Sequence, residues 1–384
     1  MVKKSTHIDA LRGAAILAVV VYHYVHGLWL GRALGLPAAA ARVAEYGWAG
    51  VDLFFVLSAY LLARNLLAHR DAPRAAQIFY LRRMFRVLPM YLVMLAAAFI
   101  VGASFPMTWL FVNLAPFWVY AGFLQNFWDG LHSGWGAQFL GPTWSLAIEE
   151  HFYLFLPLFV LRLAPRGLLI AALSMIALSP LLRFAIAGAF GGVAAYTFTF
   201  CRLDSFGWGL VIALAPRLNG AIKVLIAAGW LASVFSVVAT LLSRDGAPTG
   251  GFLDPAVVSA TTLLAAAIVA SVVLREERRN AATSLPLRAL AFMGERCFSI
   301  YLLHIPIAGL MALAFGHARP EAVDASSTLA LAIAFPYTLA VASLTWRYVE
   351  RPFMDLGDRV ARYRDAEVGP AQASPRLSPA APPG

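Results

Sequence analysis

Charged residues are scarce in this sequence, since Asp, Glu, Lys and Arg together make up only 13% of its 384 residues. Soluble globular proteins carry about 25% charged residues, so the low content argues against a soluble enzyme and against a disordered chain. Cysteine is scarce too: only Cys201 and Cys297 are present, with no Cys-x-x-Cys pair. A disulfide-rich secreted scaffold is excluded, and neither a cysteine metal site nor a dithiol redox site is supported.

Apolar residues dominate the rest of the sequence, making up 61% of it and recurring in long runs. A helix that crosses a bilayer needs ~20 mostly apolar residues. We therefore predict an all-α integral membrane protein with about ten transmembrane helices in one bundle around a polar cavity. The predicted spans are 9–30, 46–66, 87–105, 143–163, 167–187, 203–218, 222–242, 255–274, 290–314 and 327–348. The aromatic, Pro- and Gly-rich region 106–142 is a candidate re-entrant segment.

The distribution of positive charge predicts an orientation. The formal net charge is +10, and most Lys and Arg residues fall between alternate apolar runs, which is typical of cytoplasmic loops. We predict a multi-pass protein of the inner (plasma) membrane with both termini in the cytoplasm. Its membrane domain is predicted at 1–352 and a cytoplasmic tail, disordered at its end, at 353–384. The clustering makes the lipid bilayer the expected partner and argues against nucleic-acid binding.

Residues 1–40 also resemble a cleaved signal peptide, because two lysines precede an apolar stretch. Asp9 and Arg12 interrupt the start of that stretch, and His23 and His26 lie within it. The apolar region of a signal peptide is normally uninterrupted and about 7–15 residues long. We therefore predict that this segment is retained as the first span.

Two ionisable residues of the first span, Arg12 and His23, lie 11 residues apart. A charge within a bilayer costs about 2.5–3.5 kcal/mol on insertion scales, so each such residue is a functional candidate. Eleven residues are close to three helical turns, which puts both side chains on one face, roughly 16 Å apart along the axis. This stripe suits an extended ligand with its charged end at Arg12 and its reactive end at His23. The alternative is an anchoring arginine and a packing histidine.

Arg82, Arg83 and Arg86 form a second polar group, in the predicted loop after the second span. At spacings of three and four residues their side chains are neighbours. Guanidinium groups match phosphate oxygens well, so the patch is a candidate phosphate site at the cytoplasmic surface. Orientation of the chain and contact with anionic lipids are the alternative roles.

The fourth predicted span holds Glu149 and Glu150, followed by His151. Two adjacent carboxylates in a span are not typical of packing residues. Adjacent residues point about 100° apart on a helix, so one glutamate is predicted to face a shared cavity. Trp144 and Ser145 open the same span and are candidate substrate or structural-polar residues.

Four further polar residues have two interpretations each. Asp52, near the outer end of the second span, is either interfacial or functional. Arg202 and Asp204 either pair with each other or face an extracytoplasmic substrate. His304 precedes Pro306, which removes a backbone hydrogen bond, so this histidine either caps freed backbone groups or contacts a ligand.

These segments together resemble the membrane-bound acyltransferase family 3. The matching motifs are Asp9-x-Leu-Arg-Gly with Arg-x10-His, Gly-Val-Asp-Leu-Phe-Phe-Val-Leu-Ser, Arg-Arg-x-x-Arg, Trp-Ser-Leu-x-x-Glu-Glu-x-Phe-Tyr, Tyr-Leu-x-His-x-Pro and Glu-Arg-Pro-Phe. They occur in the family's order over about residues 7–353. One departure is Ser-Ala-Tyr at 58–60, where the family usually has Ser-Gly-Phe; we expect it to affect helix packing more than chemistry.

The resemblance implies an enzyme that moves an acyl group, most often acetyl, from cytoplasmic acetyl-CoA to a hydroxyl. The implied acceptor is a glycan, a lipid-linked sugar or a small metabolite. Arg82, Arg83 and Arg86 would bind the nucleotide phosphates of acyl-CoA. No metal is expected, and no soluble domain is expected after the tenth span. The acceptor, the acyl length and the oligomeric state are left open by the sequence.

A mechanism follows as a hypothesis from these positions. Neutral His23 acts as a general base on the acceptor hydroxyl, which attacks the thioester carbonyl. Glu149 or Glu150 orients His23 or stabilises its charged form, and Arg12 or Trp144 stabilises the oxyanion. A covalent acyl-histidine intermediate is the alternative chemistry.

Two other functional classes share the polytopic pattern. A secondary transporter also has ten or more spans and charges within the membrane. Such transporters are typically built from paired repeats, whereas the Arg-x10-His and Trp-Ser-Leu features each occur once here. A flippase or assembly partner in envelope biogenesis is the other alternative.

Overall fold

The protein is helical throughout the part that the structure describes. This structure, a computed structural model, describes residues 5–105, 108–214, 224, 226–231, 253–276 and 284–361. Every regular element in those ranges is a helix, which confirms the predicted all-α class. Helices suit such an apolar chain because they satisfy their backbone hydrogen bonds internally, with no help from water.

The helices alternate between long apolar rods and short connecting turns. In chain order they are α1 (Thr6–Val21), α2 (Leu30–Ala33), α3 (Ala38–Glu45), α4 (Gly50–Ala68), α5 (Ala75–Ser104), α6 (Phe117–Ala121), α7 (Gln125–Leu131), α8 (Thr143–Arg162), α9 (Pro165–Phe190), α10 (Gly192–Thr197), α11 (Leu203–Leu214), α12 (Pro255–Glu276), α13 (Leu285–Glu295), α14 (Cys297–Ala314), α15 (Ala325–Thr345) and α16 (Arg351–Val360). A π-helical turn, Tyr22–Gly27, extends α1, and a second, Trp346–Glu350, joins α15 to α16.

Eight segments among the described residues are long and apolar enough to cross a membrane. They are Thr6–Gly27, Ala39–Ala68, Ala75–Ser104, Thr143–Arg162, Pro165–Phe190, Pro255–Leu274, Cys297–Ala314 and Ala325–Val360. The chain is therefore a multi-pass membrane protein. The predicted count of ten is not confirmed: α11 begins at Leu203 as expected, but its described part ends at Leu214, and most of the predicted span 222–242 lies outside the described residues.

The predicted span 290–314 is divided into two helices. Helix α13 ends at Glu295 and α14 begins at Cys297. Helix α13 packs directly on α1 through glycines: a Cβ added to Gly294 would lie 1.7 Å from the carbonyl oxygen of Asp9. Small residues let two helix backbones approach this closely, so this contact fixes the position of the first span.

The arginine patch belongs to a helix and not to a loop. Helix α5 begins at Ala75 and continues for 30 residues, so Arg82, Arg83 and Arg86 lie in its first half. The predicted loop is wrong at this point. The helix can start that early because α16 packs against this part of it, with Gly357 facing Phe85.

The region 108–142 forms short helices and turns that pack on α5. Leu110, Val119 and Tyr120 are buried in a cluster with apolar residues of α5. Gly136 adopts a left-handed conformation with φ 58°, and a Cβ added there would lie 3.1 Å from the Asp129 carboxylate. The turn that carries Trp135 therefore lies against a buried aspartate.

The burial of Asp129 predicts a dependence of stability on pH. Desolvation raises the pKa of Asp129 from 3.8 to about 8. A group whose pKa is raised in the folded state stabilises the fold fully at pH values below its unfolded-state pKa. This contribution is lost as the pH rises through its folded-state pKa. We expect the melting temperature of the wild type to fall relative to Asp129→Asn between about pH 4 and pH 8. Parallel melting curves of the two proteins over that range would contradict this.

Candidate active site

A cavity of about 400 Å³ surrounds the side chain of His23. Its wall is mostly aromatic; we name it the aromatic cavity and define it by Tyr22, His23, Trp48, Trp109, Trp135, Trp144, Tyr196 and Tyr301. No Asp, Glu, Lys or Arg is among the described residues that line it. This size is typical of small-molecule sites, and the wall suits an uncharged ligand with apolar faces.

His23 projects from the π-helical turn Tyr22–Gly27. Such π-turns occur frequently at functional sites. The Nδ1 atom of His23 lies 2.9 Å from the carbonyl oxygen of Val19 and 3.3 Å from Nε2 of His304. A carbonyl only accepts, so Nδ1 of His23 carries the proton, and Nε2 is left as the basic nitrogen.

His304 completes this histidine pair. Its own Nδ1 lies 2.7 Å from the carbonyl oxygen of Tyr301, so that nitrogen donates and its Nε2 accepts from His23. The side chain of His304 is fully buried. His304 therefore bonds a backbone carbonyl of its own helix and also contacts His23; a contact of His304 with a ligand stays a prediction.

A second, smaller cavity of about 90 Å³ lies next to the first. It contains Arg12, Arg83 and Arg86 together with Glu149 and Cys297; we name it the cationic cavity. Val51 and Tyr301 are the two described residues that line both cavities. The first span therefore presents Arg12 to one cavity and His23 to the other, whereas the spacing of 11 residues predicted one polar stripe along a single cavity.

Hydroxyl groups hold Glu149 in the cationic cavity. Ser58 donates to one carboxylate oxygen at 3.0 Å and Tyr153 donates to the other at 2.9 Å. Neither Glu149 nor Glu150 lines the aromatic cavity. The expectation that a glutamate orients His23 is not met in the described structure, where His304 has that position. Helix α8 explains the difference, because it presents Trp144 to the aromatic cavity and Glu149 to the cationic one.

Comparison with known proteins agrees with this architecture. A family model, described as the acyltransferase domain of acyltransferase family 3, matches residues 6–347. The chain belongs to acyltransferase family 3. No solved structure matches the chain. The resemblance carried by the six sequence motifs is therefore confirmed.

Several curated family members are similar over almost the whole chain. Peptidoglycan O-acetyltransferase OatA of Listeria monocytogenes is 27% identical over 91% of this chain and 56% of its own length. The putative peptidoglycan O-acetyltransferase YrhL of Bacillus subtilis is 25% identical over 92% of this chain and 55% of its own. A putative O-acetyltransferase of Staphylococcus aureus is 26% identical over 94% and 59%. The chain thus spans about half the length of these relatives.

The three arginines of the Arg-Arg-x-x-Arg motif lie in two different environments. Arg83 and Arg86 line the cationic cavity, whereas Arg82 does not. Arg82 donates to the carbonyl oxygen of Ala361 at 2.8 Å and lies 3.4 Å from Asp358. Arg82 therefore connects helix α16 to α5 and lies outside the described lining of the cationic cavity.

Asp52, Arg202 and Asp204 form buried ion pairs that the sequence did not predict. Arg202 pairs with Asp52, and Arg183 pairs with Asp204 at 2.7 Å. Each of Arg202 and Asp204 therefore has a different partner, and the alternative in which they pair with each other is not observed. Asp52 also accepts from Thr261 of α12 at 3.0 Å, and these residues line neither cavity. Distant parts of the chain supply the partners, so spacing along the sequence gives no signal for them.

The buried pairs support the wall of the aromatic cavity. The guanidinium carbon of Arg202 lies 4.8 Å from the ring centre of Tyr196, and Tyr196 lies 4.8 Å from Trp144. A guanidinium beneath an aromatic face is an attractive contact. Arg202, paired with Asp52, thus packs behind the wall of the aromatic cavity, and a substrate role for Arg202, Asp52 and Asp204 stays a prediction.

Tyr301 is the main site residue that sequence reasoning missed. Its hydroxyl lies 2.7 Å from that of Ser145, which connects α14 to α8. Both residues belong to family motifs, Tyr-Leu-x-His-x-Pro and Trp-Ser-Leu, but nothing in the sequence pairs two motifs 156 positions apart. Among the described residues, no group of three His, Cys, Asp or Glu side chains is placed to hold a metal ion.

Proposed function

We propose that this protein is a membrane O-acyltransferase that moves an acetyl or other short acyl group from acyl-CoA to a hydroxyl of a glycan. The observation that carries this proposal is the pair of adjoining cavities. One is lined by arginines, the other by aromatic rings and one histidine, and they meet at Tyr301 and Val51. A reaction between an anionic donor and an uncharged acceptor requires such a pair of sites.

The cationic cavity is the proposed donor site. Arg12, Arg83 and Arg86 present three guanidinium groups to one small space, and guanidinium groups bind phosphate in a forked geometry. Asp9 lies 3.3 Å from Arg12 and holds it in place. Because acyl-CoA is a cytoplasmic metabolite, we propose that this face is cytoplasmic, with both termini on the same side of the inner membrane.

The aromatic cavity is the proposed acceptor site. Four tryptophans and three tyrosines offer flat faces for the C–H groups of a sugar ring, and Gln138 offers an amide for its hydroxyls. The names of two relatives specify peptidoglycan as what they acetylate, which supports a glycan acceptor here. A lipid-linked sugar has the same ring chemistry and is included in the proposal.

The histidine pair supports general-base catalysis. Nε2 of His23 takes the proton of the acceptor hydroxyl while the hydroxyl oxygen bonds to the thioester carbonyl carbon. The carbon–sulfur bond then breaks, and the proton passes to the leaving thiolate. A positioned base contributes about 10²–10⁴-fold. The charged His23 ring is stabilised through Nδ1, which donates to Val19 and His304. Trp144, which lines this cavity, is the proposed oxyanion donor.

Transfer of a labelled acyl group tests the function. Sealed vesicles that hold the purified protein are supplied with acetyl-labelled CoA on the face bearing Arg83 and with a soluble glycan on the other face. An acyltransferase is expected to attach the label to a glycan hydroxyl and release free CoA. Label that crosses the membrane without becoming bound to an acceptor would instead identify a transporter.

A further inference from the structure

Tyr301 stands at the boundary between the two cavities. It lines both of them, and its hydroxyl shares a hydrogen bond of 2.7 Å with Ser145. Ser145 lines the cationic cavity, whereas the preceding Trp144 lines the aromatic cavity. The boundary therefore passes between two successive residues of α8 and is closed by the side chain of Tyr301.

We propose that the Tyr301–Ser145 contact is a partition that determines whether a bound thioester reacts with the sugar hydroxyl or with water. The inference rests on the proposed function, because it assigns the donor to one cavity and the acceptor to the other. While the partition is closed, the thioester in the cationic cavity is separated from His23. Opening it lets the acyl group reach the aromatic cavity.

The contact has a strength that suits a movable barrier. A hydrogen bond between two neutral hydroxyl groups contributes only about 0.5–1.5 kcal/mol, so an incoming thioester can displace it. Val51, the other residue shared by the cavities, has no polar group with which to close the gap. A single rotation of the Tyr301 side chain would therefore join the two spaces.

The same residue is coupled to the histidine pair. Tyr301 and His304 lie three residues apart on α14, and Nδ1 of His304 donates to the carbonyl oxygen of Tyr301. His304 in turn accepts from Nδ1 of His23. A shift of α14 that moves the backbone of Tyr301 would therefore also move the partner of the base.

If the partition opened with no acceptor bound, the acyl-CoA would be hydrolysed. Water in the aromatic cavity would add to the thioester carbonyl carbon, the carbon–sulfur bond would break, and free acid and CoA thiol would result. The neutral Nε2 of His23 would accelerate this reaction as it does the transfer. Tyr301 is thus a residue that determines specificity for the acceptor over water.

Cys297 provides a native reporter for the partition. It lines the cationic cavity. The other cysteine, Cys201, lines neither cavity. Replacing Cys201 by Ala leaves Cys297 as the one thiol in the protein used for the experiment. In sealed vesicles of either orientation, a membrane-impermeant thiol reagent is expected to modify Cys297 only from the Arg83 face, with protection by CoA. In Tyr301→Ala it should react from both faces. Wild-type labelling from the His23 face, or no such labelling in Tyr301→Ala, overturns the partition.

A second measurement compares CoA release with acyl transfer. Tyr301→Phe keeps the ring and loses the hydroxyl, and Ser145→Ala removes the other partner. Both variants are expected to hydrolyse more acyl-CoA for each acyl group transferred. The ratio of CoA released by hydrolysis to acyl groups transferred should rise by about 2–12-fold, the equivalent of the lost hydrogen bond. Tyr91→Phe, which also loses a buried hydroxyl bonded elsewhere, to Tyr120, should keep the wild-type ratio. An unchanged ratio in both site variants overturns the proposal.

The two sets of results separate this proposal from the function itself. Labelling of Cys297 requires no acyl transfer. If Cys297 is labelled from the Arg83 face alone but no acyl group reaches a glycan, the partition is supported and the acyltransferase assignment is contradicted. If acyl groups reach a glycan but Cys297 of the wild type is labelled equally from both faces, the acyltransferase assignment is supported and the partition is contradicted.

Discussion

Replacement of His23 by Ala is expected to lower acyl transfer by about 10²–10⁴-fold, the typical contribution of a positioned base. The binding of CoA should be unchanged, because His23 lies in the aromatic cavity and the arginines lie in the other. The measurements are the rate of transfer of labelled acetyl groups and the Kd for CoA. A loss of CoA binding in parallel with activity would show a damaged fold and not a missing base.

A neighbouring histidine provides the matched control for this variant. His26 belongs to the same π-helical turn but lines neither the aromatic nor the cationic cavity. His26→Ala should therefore retain near wild-type transfer. His304→Ala keeps the base and removes its partner, so its activity should be intermediate, with an altered pH profile. Full activity of His23→Ala would rule out the general-base mechanism.

Substitution of the cavity arginines is expected to have the second large effect. A hydrogen bond to a charged group contributes about 1.5–3 kcal/mol, and 1.4 kcal/mol is a factor of ten in affinity. Arg83→Gln should thus raise KM for acyl-CoA by about 10–100-fold, and the double variant with Arg86→Gln should raise it further. The measurement is initial rate against acyl-CoA concentration at saturating acceptor.

Arg82→Gln is the control, since it removes the same charge from the same helix but faces Ala361 and Asp358. Its KM for acyl-CoA should remain near that of the wild type. An equal rise in KM for Arg82→Gln and Arg83→Gln would mean that the arginines act through general surface charge. An unchanged KM for acyl-CoA in the double variant would mean that these arginines only orient the chain in the membrane.

The sequence predicted the parts of the site that lie on one helix. The Arg12–His23 spacing placed two side chains along α1, and helical geometry alone is sufficient for that prediction. The same reasoning placed Glu149 in a cavity but assigned it to the wrong one. Neighbouring residues on a helix face different directions, and only the packing of α8 against its neighbours decides which cavity each one enters.

Contacts between distant helices were beyond the sequence. His304 meets His23 across 281 positions, and Arg202 meets Asp52 across 150. The sequence offered a pair between Arg202 and Asp204 as one of two interpretations, because the two are near neighbours in the chain. A buried charge pairs with the opposite charge that the packing of the helices places beside it. Proximity in the sequence does not determine that partner.

The sequence by itself determined that this protein is helical, lies in a membrane and belongs to an acyltransferase family. Those properties follow from apolar content, run length and ordered motifs, which are local features of the chain. The tertiary structure alone decided that the aromatic and cationic cavities adjoin, that His304 is the partner of His23 and that Tyr301 lines both cavities. These features exist only where helices from remote parts of the chain pack together, so no local pattern encodes them.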